Sequence, residues 1–181
     1  MFRVALLGCF LASCSLPNPH QKAYEEALSR LEAAPDGYDR FIHLNDAAKE
    51  TFNVGEFEAA REYARELLAL APLFPDDWNY GNAIHDGHLV LGRLALREGR
   101  RDEAKRRLII SGKTPGSPQL DTFGPNLRLA EDLLKDGERD VVIEYFKLCS
   151  KFWENEDGRL DRWTREISQG TIPDFKANRD Y

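Results

Sequence analysis

His85 and His88 stand three residues apart with Asp86 between them, a pairing suited to holding a metal ion. On a helix this spacing puts both imidazoles on one face, one turn apart, where a carboxylate from elsewhere would complete a metal site. Such a site needs three or four ligands, and no Cys or Glu motif adjoins the pair. The opposing expectation is that these histidines pack, cap or hydrogen-bond a loop, with Asp86 suited to the positive start of a helix. Trp78, Asn79 and Asn82 precede them and add an aromatic ring and two amides. A second chemistry-bearing stretch runs from Ser117 to Asn126 and contributes Ser117, Gln119 and Asn126. Pro and Gly constrain its path, and Leu120 and Phe123 are expected to pin it to the helices, so it reads as an ordered loop that either binds or only links. The two stretches would meet across one helix pair and form a contiguous polar and aromatic patch.

Gly112-Lys113-Thr114 ends a phosphate-binding loop only where a glycine stands five residues before Gly112, and Arg107 stands there, inside a helical pattern. No Ser-His-Asp order, dinucleotide glycine fingerprint or metalloprotease His-Glu signature is present. No catalytic residue, metal-ligand set or cofactor is therefore assigned. The expectation from a different class is an enzyme or metal-binding protein centred on His85, Asp86, His88 and the 117–126 loop.

The elements that would position these groups are helices. The chain has 181 residues, 42% hydrophobic and 31% charged, with a net charge of -6. This is one domain's worth of ordinary globular sequence. The negative charge argues against nucleic acid, whose binding relies on clustered Lys and Arg. Three glycines, Gly55, Gly99 and Gly137, can be overlaid so that their surroundings agree. Eight and seven residues before each come Ala47-Ala48, Leu91-Gly92 and Leu129-Ala130. Five, nine and twelve after come Ala60, Ala64 and Leu67, then Ala104, Leu108 and Ser111, then Val142, Phe146 and Cys149. Each glycine falls where one helical pattern stops and the next begins, and small residues recur where paired helices must approach closely. A helix His20–Ala34 and a last helix carrying Leu160, Trp163 and Ile167 and ending at Gly170 are expected to cap the two ends, followed by a loosely held tail from Thr171 to Tyr181.

The stretch Leu44 to Pro72, through Gly55-Glu56-Phe57, Ala60 and Pro72, resembles a tetratricopeptide repeat. The second copy keeps Leu91-Gly92, Gly99 and Ala104, and the third keeps Leu129-Ala130 and Gly137. Arg101 and Arg139 replace the expected aromatic, and the periods are 44 and 38 residues where the family has about 34. The resemblance implies an all-α fold of about three antiparallel helix pairs stacked as a solenoid, with capping helices at both ends, over residues 20–170. It also implies an inner groove lined by the first helix of each pair. Helical phase places Ile42, Asn45, Lys49 and Asn53 there from one pair, and Asp86, Leu89, Arg93 and Arg97 from the next. Asn, Lys and Arg together would hold a peptide backbone or a terminal carboxylate. The Lys and Asn order of the family's carboxylate-gripping members is not reproduced.

The first residues read as an address. Arg3 precedes the apolar run Val4 to Ala12, in the order of a secretory signal peptide and too short to span a bilayer. Leu11-Ala12-Ser13-Cys14 at its end resembles a bacterial lipobox, which implies removal of residues 1–13, acylation of Cys14 and a tether over 14–19. Several acyl chains on one cysteine would anchor the chain stably to a membrane. Ser15 in place of Asp implies the outer membrane, with the protein facing the periplasm. Cys149 would then be the one free thiol, a small buried hydrophobe late in a helix. The expectation is a lipid-anchored adaptor or scaffold that binds a protein or peptide partner in the cell envelope. A cytoplasmic repeat adaptor follows if the anchor is absent.

Overall fold

The computed structural model describes residues 18–35 and 37–179. Gly55, Gly99 and Gly137 sit at positive φ (96°, 76° and 86°), and each closes a helix in the same way. The glycine N–H bonds the carbonyl three residues back (Phe52, Leu96, Leu134), and the following N–H bonds the carbonyl five back (Thr51, Ala95, Leu133). This double bond satisfies two of the carbonyls that a helix end leaves open, and a side chain with a Cβ would be strained in that conformation.

Among the described residues there are nine α-helices and no strand, so the fold is all-α. They are α1 (Gln21–Ala33), α2 (Tyr38–Val54), α3 (Phe57–Leu70), α4 (Tyr80–Arg97), α5 (Arg101–Ser111), α6 (Pro118–Phe123), α7 (Arg128–Lys135), α8 (Arg139–Cys149) and α9 (Arg159–Ser168). The three glycine turns join α2 to α3, α4 to α5 and α7 to α8, and in each case the joined helices pack on one another. Contacts of α3 with α4 and of α5 with α8 link the pairs, while α1 covers α2 and α9 covers α8.

Small residues decide how close the helices come. Ala47, Ala48, Ala60, Ala64 and Ala104 are fully buried. A Cβ on Gly92 would stand 2.4 Å from Leu129 and 3.0 Å from the Cβ of Arg107, so α4 meets both α5 and α7 at this point. The residues at the repeated positions after each glycine, including Ser111 and Cys149, are likewise buried.

Two expectations about the ends of elements are corrected. The tail is docked, because Phe175 is buried against Phe146 and Trp163, with ring centroids 6.1 and 5.1 Å away. Asn178 completes the seal: its Nδ2 donates to the Phe123 carbonyl at 2.8 Å, and its own carbonyl accepts from Leu127 N at 2.7 Å. The stretch after Ser117 is helical where a loop was expected; α6 starts at Pro118, and the Ser117 hydroxyl accepts from Leu120 N at 3.0 Å. Leu120 anchors it as expected, whereas Phe123 is 64% exposed and pins nothing.

Candidate functional site

The start of α4 carries a run of amides that tie three elements together. Asn79 Nδ2 donates to Asn45 Oδ1 (3.1 Å), and Asn45 Nδ2 donates to Asp86 Oδ2 (3.2 Å). Asp86 also pairs with Lys49 at 3.3 Å. Burial alone would lower the Lys49 ammonium, but the charges of Asp86 and Asp46 outweigh it and hold the pKa above its ordinary value. On the other side Asn82 Nδ2 donates to Gln119 Oε1 (3.0 Å), and the Ser117 hydroxyl donates to Asn82 Oδ1 (2.5 Å). The Trp78–His88 stretch and the Ser117–Asn126 segment are thus in direct contact. Thr114, named in the sequence only as the end of the Gly-Lys-Thr tripeptide, adds a clamp, its hydroxyl donating to the Gly81 carbonyl at 2.7 Å.

The two histidines serve different neighbours. His85 is fully buried; its Nδ1–H donates to the Ser111 carbonyl at 3.3 Å, and its Nε2 accepts from the Asn126 backbone N–H at 3.2 Å. Those two bonds select one neutral tautomer and occupy both ring nitrogens. His88 Nδ1 lies 3.0 Å from a guanidinium nitrogen of Arg107, which can only donate, so that nitrogen is an acceptor. Among the described residues no group of three or more His, Cys, Asp or Glu side chains is placed to hold a metal ion. Cys149 is buried, and that burial pushes its thiol well above the ordinary range, away from nucleophilic use.

Burial lowers the pKa of both histidines, and the Arg107 charge helps bring His88 to about 4. A histidine held neutral in the folded chain takes up protons more readily when unfolded. Its contribution to stability is thus complete above the unfolded value and is lost as pH falls from about 6.5 towards 4. His88→Gln keeps an acceptor for Arg107 and removes the titration. Urea unfolding at pH 7 and pH 4.5 should show the variant losing about 1 to 2 kcal/mol less than the parent, after allowance for the partial exposure of His88.

The far end of α4 opens on a groove of about 800 Å³, walled by α2, α4 and α7. The Arg93 guanidinium lies over the Phe52 ring at 4.0 Å, and that of Arg97 over Phe57 at 3.9 Å. Arg93 donates to Asn53 Oδ1 at 3.4 Å, while its Nε is buried without a hydrogen-bond partner. No described acidic group forms an ion pair with either arginine. Burial lowers Arg93 to about 10, partly opposed by Asp132, so the group is still a cation at neutral pH. Lys49 and Asn126 border a smaller cavity of about 40 Å³ that shares Asn53 and Arg93 with the groove. Of the residues expected to line the groove, Asn53, Arg93 and Arg97 do; Lys49 borders the smaller cavity beside it and, with Ile42, Asn45 and Asp86, a separate cleft at the start of α4, and Leu89 is buried in the core with Leu120 and Leu129.

Arg128, Asp132 and Lys135 on α7, with His20 at the rim, are groove residues that the sequence reasoning missed. Carrying the helical phase of the first two pairs into the third would have found the α7 residues, which recur every three or four positions. Cys14 lies outside the described residues. No helix among the described residues is long and apolar enough to cross a membrane. Comparison with protein-family models, curated proteins and solved structures finds no match.

Proposed function

We propose that this protein is a lipid-anchored adaptor whose helix pairs stack as a tetratricopeptide-like solenoid and whose groove docks an acidic segment of a protein partner in the cell envelope. The observation that carries this is the pair Arg93 and Arg97, two cations stacked on aromatic rings and facing an open groove without ion-pair partners among the described residues. A carboxylate arriving there would gain charge-assisted hydrogen bonds on guanidinium groups that the rings already hold in place. Support for a repeated, antiparallel stack comes from the three identical glycine turns and from the shared buried positions around them.

The anchor rests on the lipobox resemblance at Cys14 and on the apolar run before it. His20, six residues after Cys14, stands at the groove rim and pairs with Glu50 at 3.1 Å. Six residues reach at most about 20 Å, so an acylated Cys14 would hold the groove close to the membrane surface. The partner would then be a membrane protein or one recruited to the membrane.

Intact mass and membrane fractionation of the native chain, Cys14→Ala and Arg93→Ala/Arg97→Ala test both halves in cells, with the captured partner quantified. The expected result is an acylated parent in the membrane, an unmodified Cys14→Ala chain in the soluble fraction, and a double arginine variant that stays in the membrane. That double variant should capture at least about tenfold less partner, near 1.4 kcal/mol. An unmodified parent in the cytosol would remove the anchor, and undiminished capture by the arginine variant would remove the groove.

A further inference from the structure

A second cleft, about 370 Å³ in volume, opens between α2, the start of α4 and α6, and its chemistry is unlike that of the groove. Its rim carries two aromatic rings from different elements, Trp78 at 46% and Phe123 at 64% exposure. Rings of this size left partly open to water on a concave surface have an apolar face to offer a ligand. Of the amides that line it, Gln119 is exposed while Asn45 and Asn79 lie almost wholly buried on its floor, and Ile42 supplies aliphatic surface. Asn45 and Asn79 are held rigidly by the bonds between them and to Asp86. Each spends one of its two amide hydrogens in those bonds. Gln119 uses only its oxygen, and its amide nitrogen has no partner among the described residues.

The charges that border this cleft cancel. Arg30 pairs with Asp46 at 3.3 Å and Lys49 with Asp86 at 3.3 Å, leaving no cation seeking an anion. His43 is the other ionisable side chain on its wall. A neutral ligand that offers flat apolar faces for the rings, and adjacent groups that both donate and accept for the exposed amide, fits this arrangement. Sugars have that combination: a pyranose presents C–H bonds on its faces and hydroxyls around its edge, and a planar amide can give and take a hydrogen bond at neighbouring hydroxyls. A peptide would instead want apolar sockets for its side chains, where this cleft presents amides.

We propose that this cleft binds a neutral carbohydrate, with Trp78 and Phe123 stacking on sugar rings and the exposed Gln119 amide hydrogen-bonding their hydroxyls. This assignment does not depend on the protein-binding groove. For a chain held in a cell envelope it would add a contact with glycan beside the contact with protein.

Tryptophan emission reads the site directly, because Trp153 and Trp163 are buried and Trp78 is the indole open to a ligand. The full chain would be titrated with chitotetraose, maltotetraose and, as the competing class, tetra-alanine. A saturable change with at least one saccharide is expected, weakened about tenfold or more in Gln119→Ala, whose side chain is exposed. Calorimetry should show the binding abolished in Trp78→Ala at an unchanged melting temperature. Arg93→Ala/Arg97→Ala should bind the saccharide as the parent does, which keeps this test separate from that of the groove. No saturable response to either saccharide would overturn the assignment, as would tetra-alanine binding with the same dependence on Trp78 and Gln119.

Discussion

Gly81→Ala is expected to lower the free energy of unfolding by about 3 kcal/mol or more, an unusually large effect for one methyl group. A Cβ at this position would stand 1.7 Å from the carbonyl oxygen of Gly116. The obstacle is backbone and cannot rotate away as a side chain would, so α4 and the segment after α5 must separate. Gly116 cannot yield inward, since it sits at φ 89° with the positions around it filled by Asp121 and Phe152. Separation would also break the bond from the Thr114 hydroxyl to the Gly81 carbonyl and strain the link between Ser117 and Asn82. Gly99→Ala is the control, since its Cβ would meet nothing within 4 Å. It should show only the left-handed backbone penalty of about 1 to 2 kcal/mol. Urea or thermal unfolding of the two variants gives the comparison, and equal losses would mean that the contact between Gly81 and Gly116 is not what holds these elements together.

His85→Leu should cost about 3 kcal/mol, although leucine is apolar and of similar size. The buried imidazole joins the end of α5, through the Ser111 carbonyl, to the chain entering α7, through the Asn126 N–H. Leucine fills the space but removes the acceptor that the Asn126 N–H now has and leaves the Ser111 carbonyl only its 3.4 Å bond from Thr114 N, so buried polar groups are less well satisfied. The loss should be local as well as global, so hydrogen exchange at Asn126 would accelerate more than exchange in the middle of α2. A uniform change across the chain would argue that the variant has lost packing and not these two bonds.

The parts of this molecule that local spacing determines were legible in its sequence. The glycine turns could be read because a left-handed cap, small residues before it and buried positions after it recur at fixed offsets around Gly55, Gly99 and Gly137. The meeting of the Asn79–Asp86 stretch with the Ser117–Asn126 segment was also legible, since both flank the second pair. Contacts between distant residues were not. Nothing near Asn178 signals that its amide reaches the carbonyls of Phe123 and Pro125, more than fifty positions away, so the tail read as loose. Leu89 read as a groove residue from its phase, but α6 and α7 close over that face and place it in the core. The histidine pair was legible as chemistry, yet a spacing of three residues does not reveal that Ser111 and Asn126 already hold both ring nitrogens of His85 and Arg107 one of His88.

The most direct test of the adaptor is photo-cross-linking in cells from two single positions, with and without Arg93→Ala/Arg97→Ala. A photoreactive residue at Lys135 lies on the groove wall, whereas one at Ile110 lies in a different cleft, between α5 and α8. The adaptor account predicts a defined envelope-protein product from position 135 that the arginine variant suppresses, and no such product from position 110. The same product from both positions, or one indifferent to Arg93 and Arg97, would contradict it.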